Sequence, residues 1–178
     1  MRQATLLLTL ACLVLITSCT PSTQNGLTIE AVNDSTFSYR IKGREGKITL
    51  TRDSIFRVCH FIGDSLADTW KLKDPVYRFD CGDLTGDSLP EITVGVVRST
   101  RYRPEPDKRL FIFKLWKGRL IRPLWMGSRL GLPLEDFRVE RDSVPHMIHT
   151  WERQPDGTIV QAIYRQKGFG LRFVNYLN

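Results

Sequence analysis

Three acidic side chains stand four residues apart in Asp83-Leu84-Thr85-Gly86-Asp87-Ser88-Leu89-Pro90-Glu91, and the hydroxyl of Thr85 lies between the first two. Oxygen donors at positions 1, 3, 5 and 9 of a nine-residue loop suit a hard cation that takes six to eight oxygens, which is calcium. A metal-free turn fixed by side-chain hydrogen bonds is the other reading of the same residues. The apolar, β-rich run Ile92-Thr93-Val94-Gly95-Val96-Val97 follows at once, so the loop opens onto a strand.

The elements around it repeat one scheme. From Leu27 on, short alternating runs end at turn formers: residues 27–32 at Asn33-Asp34-Ser35, 37–42 at Gly43-Arg44-Glu45-Gly46, and 55–62 at Gly63-Asp64-Ser65, with 47–51 between them. Later come 92–98, a polar proline-bearing excursion over 100–108, 109–116, the turn Lys117-Gly118, and 120–125. Residues 126–134 read as irregular, and 144–152, 158–165 and 169–176 close the series. Turn signals at such intervals between β-rich runs argue an all-β domain, and no window offers a helical face of more than about two turns. A weak internal repeat relates 79–125 to 137–176, laying Asp142-Ser143-Val144-Pro145-His146 over Asp87-Ser88-Leu89-Pro90-Glu91. In the second copy Arg138 stands where Asp83 stood and His146 where Glu91 stood. That copy lacks the acidic set, and a guanidinium is expected in part of the vacated space.

Asp83-x-Thr85-Gly86-Asp87-x-Leu89-x-Glu91, entered from the aromatic strand end at Phe79, resembles the calcium loops of FG-GAP and VCBS-type repeats of β-propeller blades. The resemblance implies Asp83, Thr85, Asp87 and Glu91 as side-chain ligands and the carbonyl of Leu89 as a further one. It departs from those loops at Thr85, where aspartate or asparagine is usual, and at Ser88, where glycine eases the turn. A closed propeller needs four or more blades, and this chain has room for three. Blade-like antiparallel sheets in a partial propeller-like stack, or a barrel or sandwich built from them, are therefore expected.

The N-terminus sets the compartment. Arg2 precedes an apolar run from Ala4 to Ile16, too short to span a bilayer as a helix, and small residues then lead to Cys19. Ile16-Thr17-Ser18-Cys19 resembles the lipobox of bacterial lipoproteins. That implies residues 1–18 as a cleaved signal peptide, Cys19 as the lipidated residue, 19–26 as a tether, and 27–178 as one all-β domain. Two or more acyl chains hold stably to a membrane where one does not. With no acidic residue just after Cys19, an outer-membrane anchor facing the periplasm is favoured. Loss of Arg2 takes the net charge from +7 to +6, 25 basic against 19 acidic residues. Cys59 and Cys81 then remain to pair or to stay as separate buried thiols; an oxidising compartment permits either.

Two further patterns suggest chemistry. Gly63-Asp64-Ser65-Leu66 and Gly86-Asp87-Ser88-Leu89 resemble the block that names the GDSL esterases. A serine hydrolase also needs a base, an orienting carboxylate and oxyanion donors, and the downstream blocks of that family are missing. His60, His146 and His149 with Cys59 have no zinc-ligand spacing. Positive charge is concentrated in Arg98, Arg101, Arg103, Lys108, Arg109, Lys114, Lys117, Arg119, Arg122 and Arg129, interleaved with Phe111, Phe113, Trp116 and Trp125. This stretch is either a hairpin with a solvated charged face or a surface for an anionic polymer or lipid head group. The expected function is a non-enzymatic, lipid-anchored envelope protein that binds or scaffolds, with an envelope protein or anionic polymer as partner and nucleic acid disfavoured by the compartment. A calcium-assisted carbohydrate- or polymer-binding module is the alternative, and a GDSL-type esterase a remoter one.

Overall fold

Alternation of apolar and polar residues builds thirteen strands among the residues described by the computed structural model, which are 26–101, 103–127 and 130–177, with the backbone alone at Arg103. They form three antiparallel meanders, each in sequence order. The first sheet holds β1 (Leu27–Asn33), β2 (Thr36–Ile41), β3 (Arg44–Arg52), β4 (Phe56–Ile62) and β5 (Ser65–Leu72). The middle sheet holds β6 (Val76–Gly82), β7 (Glu91–Thr100), β8 (Arg103–Trp116) and β9 (Leu120–Met126). The third holds β10 (Leu134–Glu140), β11 (Met147–Arg153), β12 (Ile159–Lys167) and β13 (Gly170–Leu177). The all-β, blade-like reading holds.

Side chains of successive strand residues point to opposite faces, so a sheet covered on both sides must be apolar on both. The middle sheet is. Ile92, Val94, Val96, Phe111, Phe113 and Leu115 pack against Phe37, Ile48, Val58 and Leu72 of the first sheet. Leu110, Ile112 and Trp125 pack against Phe137, Val139, Ile148 and Tyr164 of the third. The order is therefore first, middle, third, with one core on each side of the middle sheet. Gly82 lets the third sheet approach closely: a Cβ there would meet Val139 Cγ1 at 2.4 Å and His146 Nδ1 at 2.7 Å.

Three expectations are corrected. β5 and β10 are strands that the turn-and-run pattern passed over. Asp68 interrupts the apolar signal of β5, yet its carboxylate accepts the N–H of Ile121 at 2.8 Å and ties β5 to β9. In β10 a register shift between Leu134 and Asp136 breaks the alternation. The proline-bearing excursion belongs to β8, which pairs only with β7 until Phe111. Among the described residues, one side of the strand has no pairing partner at Pro104 and Pro106, so no ladder N–H is missed there.

Candidate functional site

The loop from Asp83 to Pro90 joins β6 to β7, and its carboxylates are held by the chain itself. Asp83, buried, accepts the N–H of Gly86 at 2.7 Å on one oxygen and that of Ser88 at 3.0 Å on the other. Glu91, 1% exposed, accepts the N–H groups of Leu84 and Thr85 at 2.8 and 3.0 Å and the hydroxyl of Thr85 at 3.2 Å. Asp87 lies exposed at the tip and accepts the N–H of Leu89 at 2.9 Å. The turn needs two left-handed residues. Gly86 supplies one at φ 79° and Ser88 the other at φ 64°, so a serine takes the conformation that glycine adopts more readily. Burial, with the nearby charges of Asp87 and Asp83, pushes the Glu91 carboxyl up to about 8 against the pull of its two N–H donors.

The corresponding connection in the third sheet, residues 141–146 between β10 and β11, docks on this loop. The His146 N–H donates to the Asp83 carbonyl at 2.7 Å, and His146 Nδ1 accepts the Asp83 N–H at 3.0 Å. His146 is therefore neutral at Nδ1, and burial followed by the Arg141 charge lowers its pKa. Arg141 donates to the Asp80 carboxylate and, at 2.7 Å, to the Cys81 carbonyl. Its guanidinium lies over the ring of Phe37 at 5.6 Å, so one side chain touches all three sheets. Asp80 also accepts the N–H groups of Val139 and Cys81, each at 2.8 Å. The guanidinium at the second connection is thus Arg141 and not Arg138, the residue that the repeat put in the place of Asp83. Arg138 instead lies on the outer face of the third sheet, bonded to Glu140 at 2.5 Å and over Trp151 at 5.5 Å.

Asp80 and Arg141 were not singled out from sequence. The signal was available: Asp80 sits between Phe79 and Cys81 in a strand that must be buried, and a buried carboxylate requires a partner.

The other expected residues are dispersed. Cys59 and Cys81 are free thiols, so the pairing held open for them is not formed. Cys59 faces Thr51 and Thr69 on the outer side of the first sheet, whereas Cys81, on β6, is fully buried in the core between the first and middle sheets. Ser65 opens β5 opposite Ile62, just after a tight turn at Gly63, while Ser88 gives its N–H to Asp83.

The three histidines serve three places. His60 Nδ1 bonds the Arg119 carbonyl at 2.7 Å and so carries the proton, leaving Nε2 to accept from the Tyr39 hydroxyl at 2.6 Å. That wire links the first sheet to the β8–β9 turn, and burial lowers the pKa of His60. His149 stacks on Trp151 at 4.3 Å and bonds Glu140 at 3.0 Å.

The basic stretch divides among partners. Lys108 reaches Glu135 at 3.2 Å, Arg122 reaches Asp68 at 3.3 Å, and Arg98 stands 3.9 Å from Asp74. Arg109 donates to the Gly127 carbonyl at 2.9 Å and Lys114 lies over Trp116 at 4.9 Å. Arg101 and the side chain of Arg119 are exposed. Arg129, the side chain of Arg103, and residues 1–25 with Cys19 lie outside the described residues.

Calcium requires oxygens that converge on one point. Here both oxygens of Asp83 and of Glu91 already accept N–H or O–H donors, and among the described residues no three His, Cys, Asp or Glu side chains are grouped for a metal. A cation at this loop would have to share oxygens with those donors. No family model, curated protein or solved structure matches this chain.

Proposed function

We propose that this chain is a lipid-anchored protein of the bacterial envelope whose β-domain binds or scaffolds rather than catalyses. What supports it is the use made of the buried ionisable groups. Asp80, Asp83, Glu91, His60 and His146 each hold main-chain groups, and three of these links cross between sheets. Such groups are committed to architecture before any ligand arrives. The lipid anchor is drawn from the pattern Ile16-Thr17-Ser18-Cys19. Fractionation with an acyl label tests it: the wild type should be labelled and retained in membranes, and Cys19→Ala should be neither. Equal membrane retention of Cys19→Ala, with no label on the wild type, would sink the anchor. Purified protein should leave aryl esters intact; turnover lost in Ser65→Ala or Ser88→Ala, with folding preserved, would reinstate an esterase.

A calcium-assisted reading draws on a different observation, the crowding of like charge. Burial first, and then the charges of Asp87 and Asp83, raise the Glu91 pKa, and a cation among them would relieve the part that is repulsion. Its mark would be a melting temperature that rises with calcium and falls with chelator.

A further inference from the structure

We propose that the open end of the interface between the middle and third sheets is a binding site for one pyranose ring of a neutral glycan. This gives the binding reading above a ligand class and rests on it. Trp125 of β9, Leu130 and Gly131 of the connection, and Tyr164, Phe173 and Tyr176 of the third sheet enclose a cavity of about 360 Å³. That volume falls among those of small-molecule sites, which are walled by apolar and aromatic groups with a few polar ones to fix orientation.

Two of the walls, Phe173 and Tyr176, are rings that keep part of their surface in solvent. Tyr164 and Phe173 meet edge to face at 5.8 Å and 75°, and Phe173 and Tyr176 meet at 4.8 Å and 57°. Tyr164 is buried behind Phe173, whereas Phe173 and Tyr176 are only tilted against one another and keep part of their ring surface in solvent, where it can meet the C–H bonds of a sugar ring. Phe173 and Tyr176 remain 42% and 49% exposed, and exposed aromatic surface of this kind marks a contact site.

Polar edges decide between a sugar and a hydrocarbon. The Gly131 N–H donates to the Tyr164 hydroxyl at 3.2 Å. Behind it the fully buried Glu152 is fixed by the Leu132 N–H at 2.9 Å and the Thr150 hydroxyl at 2.7 Å. Trp125 Nε1 has no hydrogen-bond partner among the described residues, and its nearest approach to Gly170 is an ordinary one, 3.9 Å from where a Cβ would stand. An acyl chain in the cavity would strand the indole N–H without an acceptor, whereas a sugar hydroxyl supplies one. None of the described residues that enclose the cavity is charged, which favours a neutral ring over an anionic one.

The test follows the indole N–H of Trp125 by ¹⁵N-tryptophan NMR of the full chain in lipid nanodiscs, assigned with Trp125→Phe. The probe is the β-1,4-linked tetramer of N-acetylglucosamine. A saturable shift of that resonance at millimolar sugar is expected. Phe173→Ala/Tyr176→Ala should weaken binding by about tenfold or more, the loss of a ring stack, while Lys114→Ala/Arg122→Ala leaves it unchanged. Tyr176→Leu, which keeps apolar bulk without a ring face, should weaken it too, at an unaltered melting temperature. No saturable shift overturns the proposal, and so does a shift produced by decanoate but not by the sugar, which would make the cavity an acyl site. Either result leaves the anchor standing, because acyl labelling and membrane retention are read separately.

Discussion

The β6–β7 loop and the β10–β11 loop occupy the same place in two neighbouring sheets and carry opposite chemistry. The first is acidic and closes on itself, with Asp83 and Glu91 accepting five N–H and O–H groups from within its own stretch. The second is closed from outside: His146 is fixed by both main-chain groups of Asp83, and Arg141 by Asp80 and the Cys81 carbonyl. One loop is a finished part, and the other is shaped by the part it docks on. The difference teaches that charge in a turn has two structural uses, holding the turn together and fastening it to a neighbour.

Breaking the fastening should cost most. Asp80→Ala leaves the Arg141 guanidinium without its carboxylate and the N–H groups of Val139 and Cys81 without an acceptor. Loss of about 3 kcal/mol is expected, or roughly ten degrees in thermal melting. Arg141→Ala should cost less, because Asp80 keeps its two N–H donors, and the double variant should cost less than the sum. Additive losses in that cycle would mean that the loops are not fastened by this pair.

Breaking the self-closure comes next. Asp83→Ala removes the acceptor of two N–H groups, one of them on left-handed Ser88, for about 2 kcal/mol. Exposed Asp87 accepts one N–H, and Asp87→Ala should cost about 0.5 kcal/mol. Equal losses at Asp83 and Asp87 in chemical denaturation would erase the distinction between the buried and the exposed carboxylate.

Much of this molecule was legible in the sequence, because strands with one buried face alternate and turns carry glycine, asparagine and aspartate. The runs that end at Asn33, Gly43 and Gly63 are β1, β2 and β4 within a residue or two. β5 was hidden because Asp68, which reads as a breaker, is used to hold the Ile121 N–H of the next sheet. At the site, the acidic residues announced a loop but not what fills it. The same spacing serves a cation or a set of backbone donors, and only the fold says which N–H groups face the carboxylates. Asp80 and Arg141 are 61 residues apart and meet only through the stacking of two sheets.

The pH dependence of melting between 6.5 and 8, with calcium or with chelator, tests the self-closed loop most directly. Glu91 has a folded pKa near 8 against an ordinary 4.5, so its contribution is full below 4.5 and is lost as pH rises through about 8. His60 and His146 are lowered in the fold, and their contribution is complete above 6.5, so they do not tilt this window. The expected result is a melting temperature that falls from pH 6.5 to 8, identically in millimolar calcium and in chelator, and a slope that disappears in Glu91→Gln. A melting temperature that calcium raises, and raises more at pH 8 as Glu91 gives up its proton, would contradict it and put a cation where the N–H donors are.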